Sequence, residues 1–163
     1  MSAETFTTAM FLITAVIAAG VLINSIFPIV YQMAGTFNTA THASDERLRT
    51  DFDIVATFAS SSGSDAQVYM KNIGSRSIPV SDIQKSDVFF GTLTPGTIER
   101  LDYPSQWTYH IHSTSSSAMY WAPGDTLEID IPSTGSLGYG DQVYFQFILP
   151  DAVQRSTQFG VGS

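Results

Sequence analysis

The chain opens on a stretch in which apolar residues follow one another with almost no polar relief. Ala9 to Tyr31 reads AMFLITAVIAAGVLINSIFPIVY, and no Asp, Glu, Lys or Arg occurs between Thr5 and Ser44. A core helix of a small domain carries a polar stripe, whereas a helix that is apolar nearly all round calls for lipid or for complete burial. As a helix, Ala9 to Tyr31 is about 35 Å long, enough to cross a hydrocarbon core of about 30 Å. A cleavable secretory signal would show a basic start, a shorter apolar run and a small-residue cleavage site. MSAETFTT has no Lys or Arg and the run is too long. Residues 1–34 are therefore read as a retained transmembrane or filament-core helix. Pro28 lacks an N–H and is expected to kink or end the tightest helical stretch, with helix free to resume beyond it.

The pattern then changes twice. Residues 35–50 (GTFNTATHASDERLRT) are small and polar and read as a stalk or linker, with Ser44 placed to cap the DERLR stretch. From Asp51 the period becomes two. Phe52, Ile54, Ala56 and Phe58 alternate with Asp53, Val55 and Thr57, as in a half-buried strand. SSSGSD makes a turn, and Ala66, Val68 and Met70 alternate with Gln67, Tyr69 and Lys71 in a second strand. Further strands are expected at Val88–Leu93, Ile98–Leu101, Trp107–His112, Ala118–Ala122, Thr126–Ile131, Gln142–Leu149 and Gln158–Val161. Turn chemistry separates them at Asn72-Ile-Gly74, Pro95-Gly96, Pro123-Gly124 and Gly135 to Gly140. No convincing helical period follows Thr50. The fold predicted is a single N-terminal hydrophobic α-helix followed by an all-β, immunoglobulin-like antiparallel β-sandwich over residues 51–163. Val143, Phe145, Phe147 and Leu149 are expected to meet Leu127, Ile129 and Ile131 in its core.

The few polar residues inside the helix bear on what it touches. Thr14, Ala18 and Ser25 lie near one side, with Asn24 beside them, and small or hydrogen-bonding residues are how membrane helices meet. The alternative is that Thr and Ser bond back to their own backbone while Asn24 sits near an interface. Glu4 is the one charge before the helix. It either pairs with the α-amino group of a neighbouring chain or, more simply, is solvated and complements the helix dipole.

Composition narrows the function classes. Of 163 residues only 13% are charged, and the formal net charge is −8. Roughly 110 residues beyond the helix suffice for one domain with one core. Two lysines and five arginines form no basic patch, so nucleic acid is a poor partner. Cysteine is absent, which removes disulfides, thiolate nucleophiles and zinc–cysteine sites. A literal positive-inside count on Arg47 and Arg49 would place the C-terminal side in the cytoplasm, but Asp45 and Glu46 offset them.

Candidate chemistry is thin. His110 and His112 share a face of one strand and would need an acid such as Asp102 to hold a metal; ordinary strand surface is the simpler reading. Asp125, Glu128 and Asp130 cluster near a turn without calcium-loop spacing, and Glu128 with Asp130 reads as a solvated strand face before it reads as a glycosidase pair. The serines of SSSGS and STSSS lack a nucleophile elbow, and phosphate-loop and dinucleotide glycine patterns are absent. No catalytic, cofactor-binding or metal residue is assigned, and the chain is not read as an enzyme. Tyr103, Trp107, Tyr109, Tyr120, Trp121 and Tyr139 are dense for one domain. Most are expected in the core, with Trp107, Tyr109, Tyr120 and Trp121 as a candidate partner surface.

Taken together, the helix AETFTTAMFLITAVIAAGVLINSIFPIVYQMAG and the entry THASDERLRTDFDIV resemble the archaeal flagellar accessory protein G (FlaG) family. VYMKNIGSRSIPVSDIQKSDVFF and WAPGDTLEIDIP are similar to the β-domains of that family and of archaellins. The resemblance covers most of the chain and is most specific in the first 55 residues. It implies a non-enzymatic part of the archaellum, the archaeal motility filament. The protein would be anchored in the cell membrane with its sandwich outside, near the surface layer. It would act with the related protein F and surface-layer protein as a stator, or polymerise through its helix as pilin-like filaments do. No cofactor is implied. Archaellins and type IV-like pilins carry a processed leader with a basic residue and Gly. MSAETF shows none: either this member is unprocessed or the sequence is already trimmed, and the departure argues for the accessory protein rather than the main filament subunit. Glu4 resembles the near-terminal glutamate of such pilins at a different offset, so no pairing role is carried over.

Overall fold

In the computed structural model, which describes residues 2–93, 96–113, 119–132 and 137–163, the N-terminal run forms one α-helix, α1 (Ser2–Arg49). It passes through Pro28 and takes in the residues read as a stalk, as far as Arg49. Six of its hydroxyls are satisfied within the helix itself. Thr7, Thr8, Thr14, Ser25, Thr36 and Thr41 each donate to the carbonyl four residues back at 2.8–2.9 Å. A hydroxyl bonded in this way presents mostly its methyl or methylene, so these residues cost the helix little in an apolar setting. Glu4 in the first turn and Arg47 and Arg49 in the last complement the helix dipole. The chain divides into two units, one ending at Ser44 and one beginning at Asp45, so the last turn of α1 belongs with the sandwich.

That second unit contains strands β1 (Phe52–Ser60), β2 (Asp65–Asn72) and β3 (Ile78–Pro79), a short helix α2 (Val80–Gln84), and strands β4 (Asp87–Thr92) and β5 (Thr97–Leu101). β6 (Thr108–His112), β7 (Tyr120–Trp121), β8 (Thr126–Ile131), β9 (Gln142–Ile148) and β10 (Gln154–Gly160) follow. Two four-stranded antiparallel sheets result, in the orders β1-β2-β8-β6 and β10-β9-β4-β5, with a two-stranded ribbon β3-β7. The period-two pattern accounts for the architecture. In β8 and β9, Leu127, Ile129, Ile131, Val143, Phe145 and Phe147 point inward and are buried, as expected. The C-terminal end ties back to β1 through Gly162 N–H to Ala59 O (2.9 Å) and Ser61 N–H to Gly162 O (3.1 Å).

Three expectations need correction. α2 is helical despite the absence of a visible period after Thr50, because a five-residue helix is too short to display one. In β1 the register against β2 shifts between Ile54 and Ala56. This bulge moves the following side chains to the opposite face, so Ala59 is buried while Phe58 points outward, 49% exposed. The simple alternation Phe52, Ile54, Ala56, Phe58 therefore holds only up to Ile54. The strand expected from Ala118 reduces to β7, and Ala118, Pro95, Gly135 and most of STSSS (Thr114 to Ser117) lie outside the described residues.

The core is joined by aromatic edges. Phe52 lies 5.6 Å, centroid to centroid, from both Trp121 and Phe147, and Phe147 in turn meets Trp107 edge-on at 6.4 Å. Tyr103 continues the series at 5.0 Å from Trp107. Such tilted and edge-on pairs add about 0.5–1.5 kcal/mol each beyond their area. Trp121 also donates its indole N–H to Asp125 O at 2.9 Å. Trp121→Ala should lower the unfolding free energy of the sandwich by about 3–5 kcal/mol, measurable as loss of near-ultraviolet dichroism at a lower denaturant midpoint.

Candidate functional site

On α1, every large apolar side chain from Phe6 to Phe37 is exposed within the single chain. Ser2–Phe37, 36 residues, is long and apolar enough to cross a membrane, and its most apolar window buries nothing. Thr14, Ala18, Asn24 and Ser25 all lie on this exposed surface. The Thr14 and Ser25 hydroxyls are bonded to their own backbone, so the strip they form with Ala18 is small and nearly apolar rather than a row of free donors. Glu4 is exposed in the first turn. Ile29, Gln32, Met33, Thr36 and Phe37 line a shallow apolar hollow further along.

The end of α1 is bonded into the sandwich unit. The Ser75 and Arg76 N–H groups donate to Arg49 O at 2.9 and 3.2 Å, and those of Ile73 and Gly74 donate to Asp51 O at 3.0 and 2.8 Å. The two bonds to Arg49 O satisfy a carbonyl that a helix end otherwise leaves open, and those to Asp51 O hold the segment that follows it. Asn72 is buried and uses its whole amide: Nδ2 donates to Arg76 O and Trp121 O, both at 2.9 Å, and Oδ1 accepts from Gly74 N at 3.0 Å. The Arg76 guanidinium stands 3.6 Å from Asp82, 3.6 Å from Asp151 and 3.9 Å from Glu46. Arg47 Nε donates to Asp151 O at 2.6 Å. Gly74 is required here, since a Cβ would lie 2.5 Å from Arg49 O and 2.6 Å from Asp51 N, both backbone atoms. Sequence reasoning took Asn72-Ile-Gly74 as turn chemistry alone. The added signal was Arg76 two residues on, one of only seven Lys and Arg residues in the chain.

The outer face of the first sheet carries the histidines. His112 Nε2 meets Glu128 Oε2 at 2.5 Å, and Tyr69 donates its hydroxyl to Glu128 Oε1 at 2.7 Å. The His110 and His112 rings meet edge-on at 4.7 Å, and Gln67 donates to Asp130 at 3.1 Å. Desolvation pushes the Glu128 carboxyl up, but the bonds from His112 and Tyr69, with the nearby His110, outweigh it and hold the group below its ordinary value. Asp130 is pushed up by burial and by the charge of Glu128. Asp102 pairs with Arg100 at 3.1 Å instead of joining the histidines. Asp125 is buried in the turn before β8, while Glu128 and Asp130 face solvent from the strand, so these three acids do not converge. Among the described residues no three His, Asp or Glu side chains are arranged to hold a metal.

The aromatic candidates separate. Trp107 and Trp121 are fully buried and belong to the core, because both point inward between the sheets. Tyr109 packs against that core, and Tyr120 alone of the four is half exposed. A four-residue partner surface is not formed.

With this geometry in place, relatives can be compared. The profile of the family described as archaeal-type flagellin matches residues 7–159. Among solved structures, the archaellum periplasmic stator protein FlaG of Sulfolobus acidocaldarius is 25% identical with TM-score 0.55, over 68% of this chain and 99% of that one. The periplasmic stator complex of FlaF and FlaG from the same organism is 25% identical with TM-score 0.53, over 66% of this chain and 87% of that one. The archaeal flagellum of Methanospirillum hungatei strain JF1 shares the fold at 12% identity, with TM-score 0.69 over 96% of this chain and 93% of that one.

Two outcomes are expected at these sites. Gly74→Ala should destabilise the sandwich by about 1–3 kcal/mol and speed amide exchange at Ser75 and Arg76, read by hydrogen–deuterium exchange. Because the native Glu128 value is lowered, its stabilisation is complete above the ordinary 4.5 and is lost as pH falls through the native value. Wild type should therefore melt above Glu128→Gln near neutral pH, and the difference should shrink below pH 4.5. Asp130, raised above its ordinary 3.8, contributes with the opposite sign; its burial remains in both proteins, while the part owed to the Glu128 charge is lost in Glu128→Gln.

Proposed function

The chain belongs to the archaeal-type flagellin family, and from that premise we propose that it is a membrane-anchored, stator-like component of the archaellum whose sandwich contacts the cell envelope outside the cell. That it is a structural archaellum protein follows from the family and its structural relatives. The finer reading rests on one observation: the apolar surface of Ser2–Phe37 is uncovered within the chain. Such a surface needs lipid or neighbouring protein. The likeness to FlaG and to the FlaF–FlaG complex supports a stator role and a FlaF-like partner. Surface-layer protein is the envelope partner this reading requires.

A second reading, a polymerising filament subunit, is favoured by the length of the same helix. Thirty-six residues span about 54 Å, while a hydrocarbon core is about 30 Å. Fitting that length into the core would take a tilt of about 55°, beyond the usual range of about 0–40°. Part of the apolar surface is thus left for other helices to cover, with Thr14, Ala18, Asn24 and Ser25 as the closest approach and Glu4 near the neighbouring chain's start. The likeness to the Methanospirillum flagellum extends over nearly the whole chain.

One experiment separates the readings. Full-length protein expressed in archaeal membranes should resist alkaline extraction, show no filaments by electron microscopy, and retain a FlaF-like protein or surface-layer protein on pull-down. Helical filaments with the sandwiches outside would favour the second reading, and loss of membrane association together with absence of both partners would refute the first.

A further inference from the structure

We propose that the outer face of the second sheet is a binding shelf for a neutral glycan. The register brings its side chains together in rows. Gln158 of β10 lies opposite Tyr144 of β9, which lies opposite Gly91 of β4, itself opposite Ile98 of β5. The next row holds Ser156, Gln146, Phe89 and Arg100. Gln142 and Gln154 stand beyond at either end, and all these positions alternate with the buried ones.

Charge argues for a neutral occupant. In a chain of formal charge −8, this face carries Asp87 and Arg100, which bond to each other at 2.6 Å, and Asp102 just past β5 bonds the same guanidinium at 3.1 Å. The opposite face carries Asp53, Glu128 and Asp130 against Lys71. One guanidinium already held by two carboxylates offers little to a polyanion, and a single excess carboxylate offers little to a polycation, so binding there would depend only weakly on salt. A carboxamide offers an acceptor and two donors, which matches a hydroxyl that both gives and takes a hydrogen bond. Four such amides surround two rings, Tyr144 and Phe89, that sit on adjacent rows and diagonal positions within reach of each other. Flat aromatic surfaces framed by a few oriented polar groups suit the C–H face and hydroxyl rim of a pyranose.

The shelf is also shaped and partly preorganised. A Cβ on Gly91 would collide with Thr97 O and lie 2.7 Å from Ile98 Cα, so the backbone of β5 closes in on the outer face at the Gly91 position of this row. Gln146 Nε2 donates to Gln154 Oε1 at 3.0 Å, which steadies both amides and leaves the Gln146 carbonyl and the Gln154 amino group for a ligand. Ile148 and Ile98 also lie on this face, each diagonal to Phe89, so a second copy is the competing occupant that the test has to separate from a glycan. This inference gives the envelope contact a chemistry and relies on the anchor reading only for where in the cell it would act.

The test is retention of the full chain, in detergent micelles, on beads bearing dextran, mannan or galactan. Retention on at least one is expected, displaced by the matching free sugar and little changed between about 0.1 and about 1 M salt. Tyr144→Ala should weaken it by about tenfold or more and Gln158→Ala, at an exposed side chain, by several-fold, while Glu128→Gln on the opposite face leaves it intact. No retention on any of the three polymers, or retention unaffected by both Tyr144→Ala and Gln158→Ala, would overturn the proposal. Association between copies that Tyr144→Ala abolishes, without polymer retention, would assign the face to a second copy instead. Retention is read whether or not the helix anchors or polymerises, so its failure is distinct from failure of the anchor reading.

Discussion

Water has no favourable place along most of α1. Large apolar side chains are worth about 1.5–3 kcal/mol each when removed from water, and the helix presents them on every side from Phe6 to Phe37. The penalty of exposure far exceeds the stability of a typical domain. The free monomer in water is therefore not the working state, and whatever covers the helix determines what the protein is. Lipid alone gives an anchor, helices alone give a filament core, and the helix is long enough to call on both.

The sandwich solves a different problem. It is held by its own core, with Phe52 linking Trp121 and Phe147, and it leaves two faces of unlike character. One carries an acid–imidazole network around Glu128, and the other is an amide and aromatic surface whose one guanidinium is held by carboxylates. The Asn72, Gly74 and Arg76 cluster receives the last turn of α1 within the sandwich unit. Three carboxylates around one guanidinium at 3.6–3.9 Å are individually weak contacts. The backbone bonds to Arg49 and Asp51 carry more of the attachment.

Much of this was legible in the residues. The unbroken apolar run announced the helix, and period-two alternation announced β2, β8 and β9, because each buries one face along its whole length. Local pattern failed where a tertiary event intervened. The bulge after Ile54 inverted Phe58, a change no alternation rule can see from one strand alone. Trp107 and Trp121 looked like surface candidates because size and polarity do not state direction, and the fold turned Trp107, just before β6, and Trp121 of β7 into the core. Arg76 escaped notice because its carboxylate partners Glu46 and Asp151 are remote in sequence and Asp82, though near, sits at no spacing that marks a pair. The amide and aromatic face was invisible for the same reason: its rows exist only once four strands are set in register.

Pro28 lies in the middle of the uninterrupted helix. Lacking an N–H, it leaves the carbonyl of Asn24 without its ordinary helical donor. An acceptor exposed at that depth is tolerated poorly by hydrocarbon and well by a neighbour that brings a proton to share. Pro28 thus marks a height along the helix at which a donor from neighbouring protein would gain more than a lipid tail could.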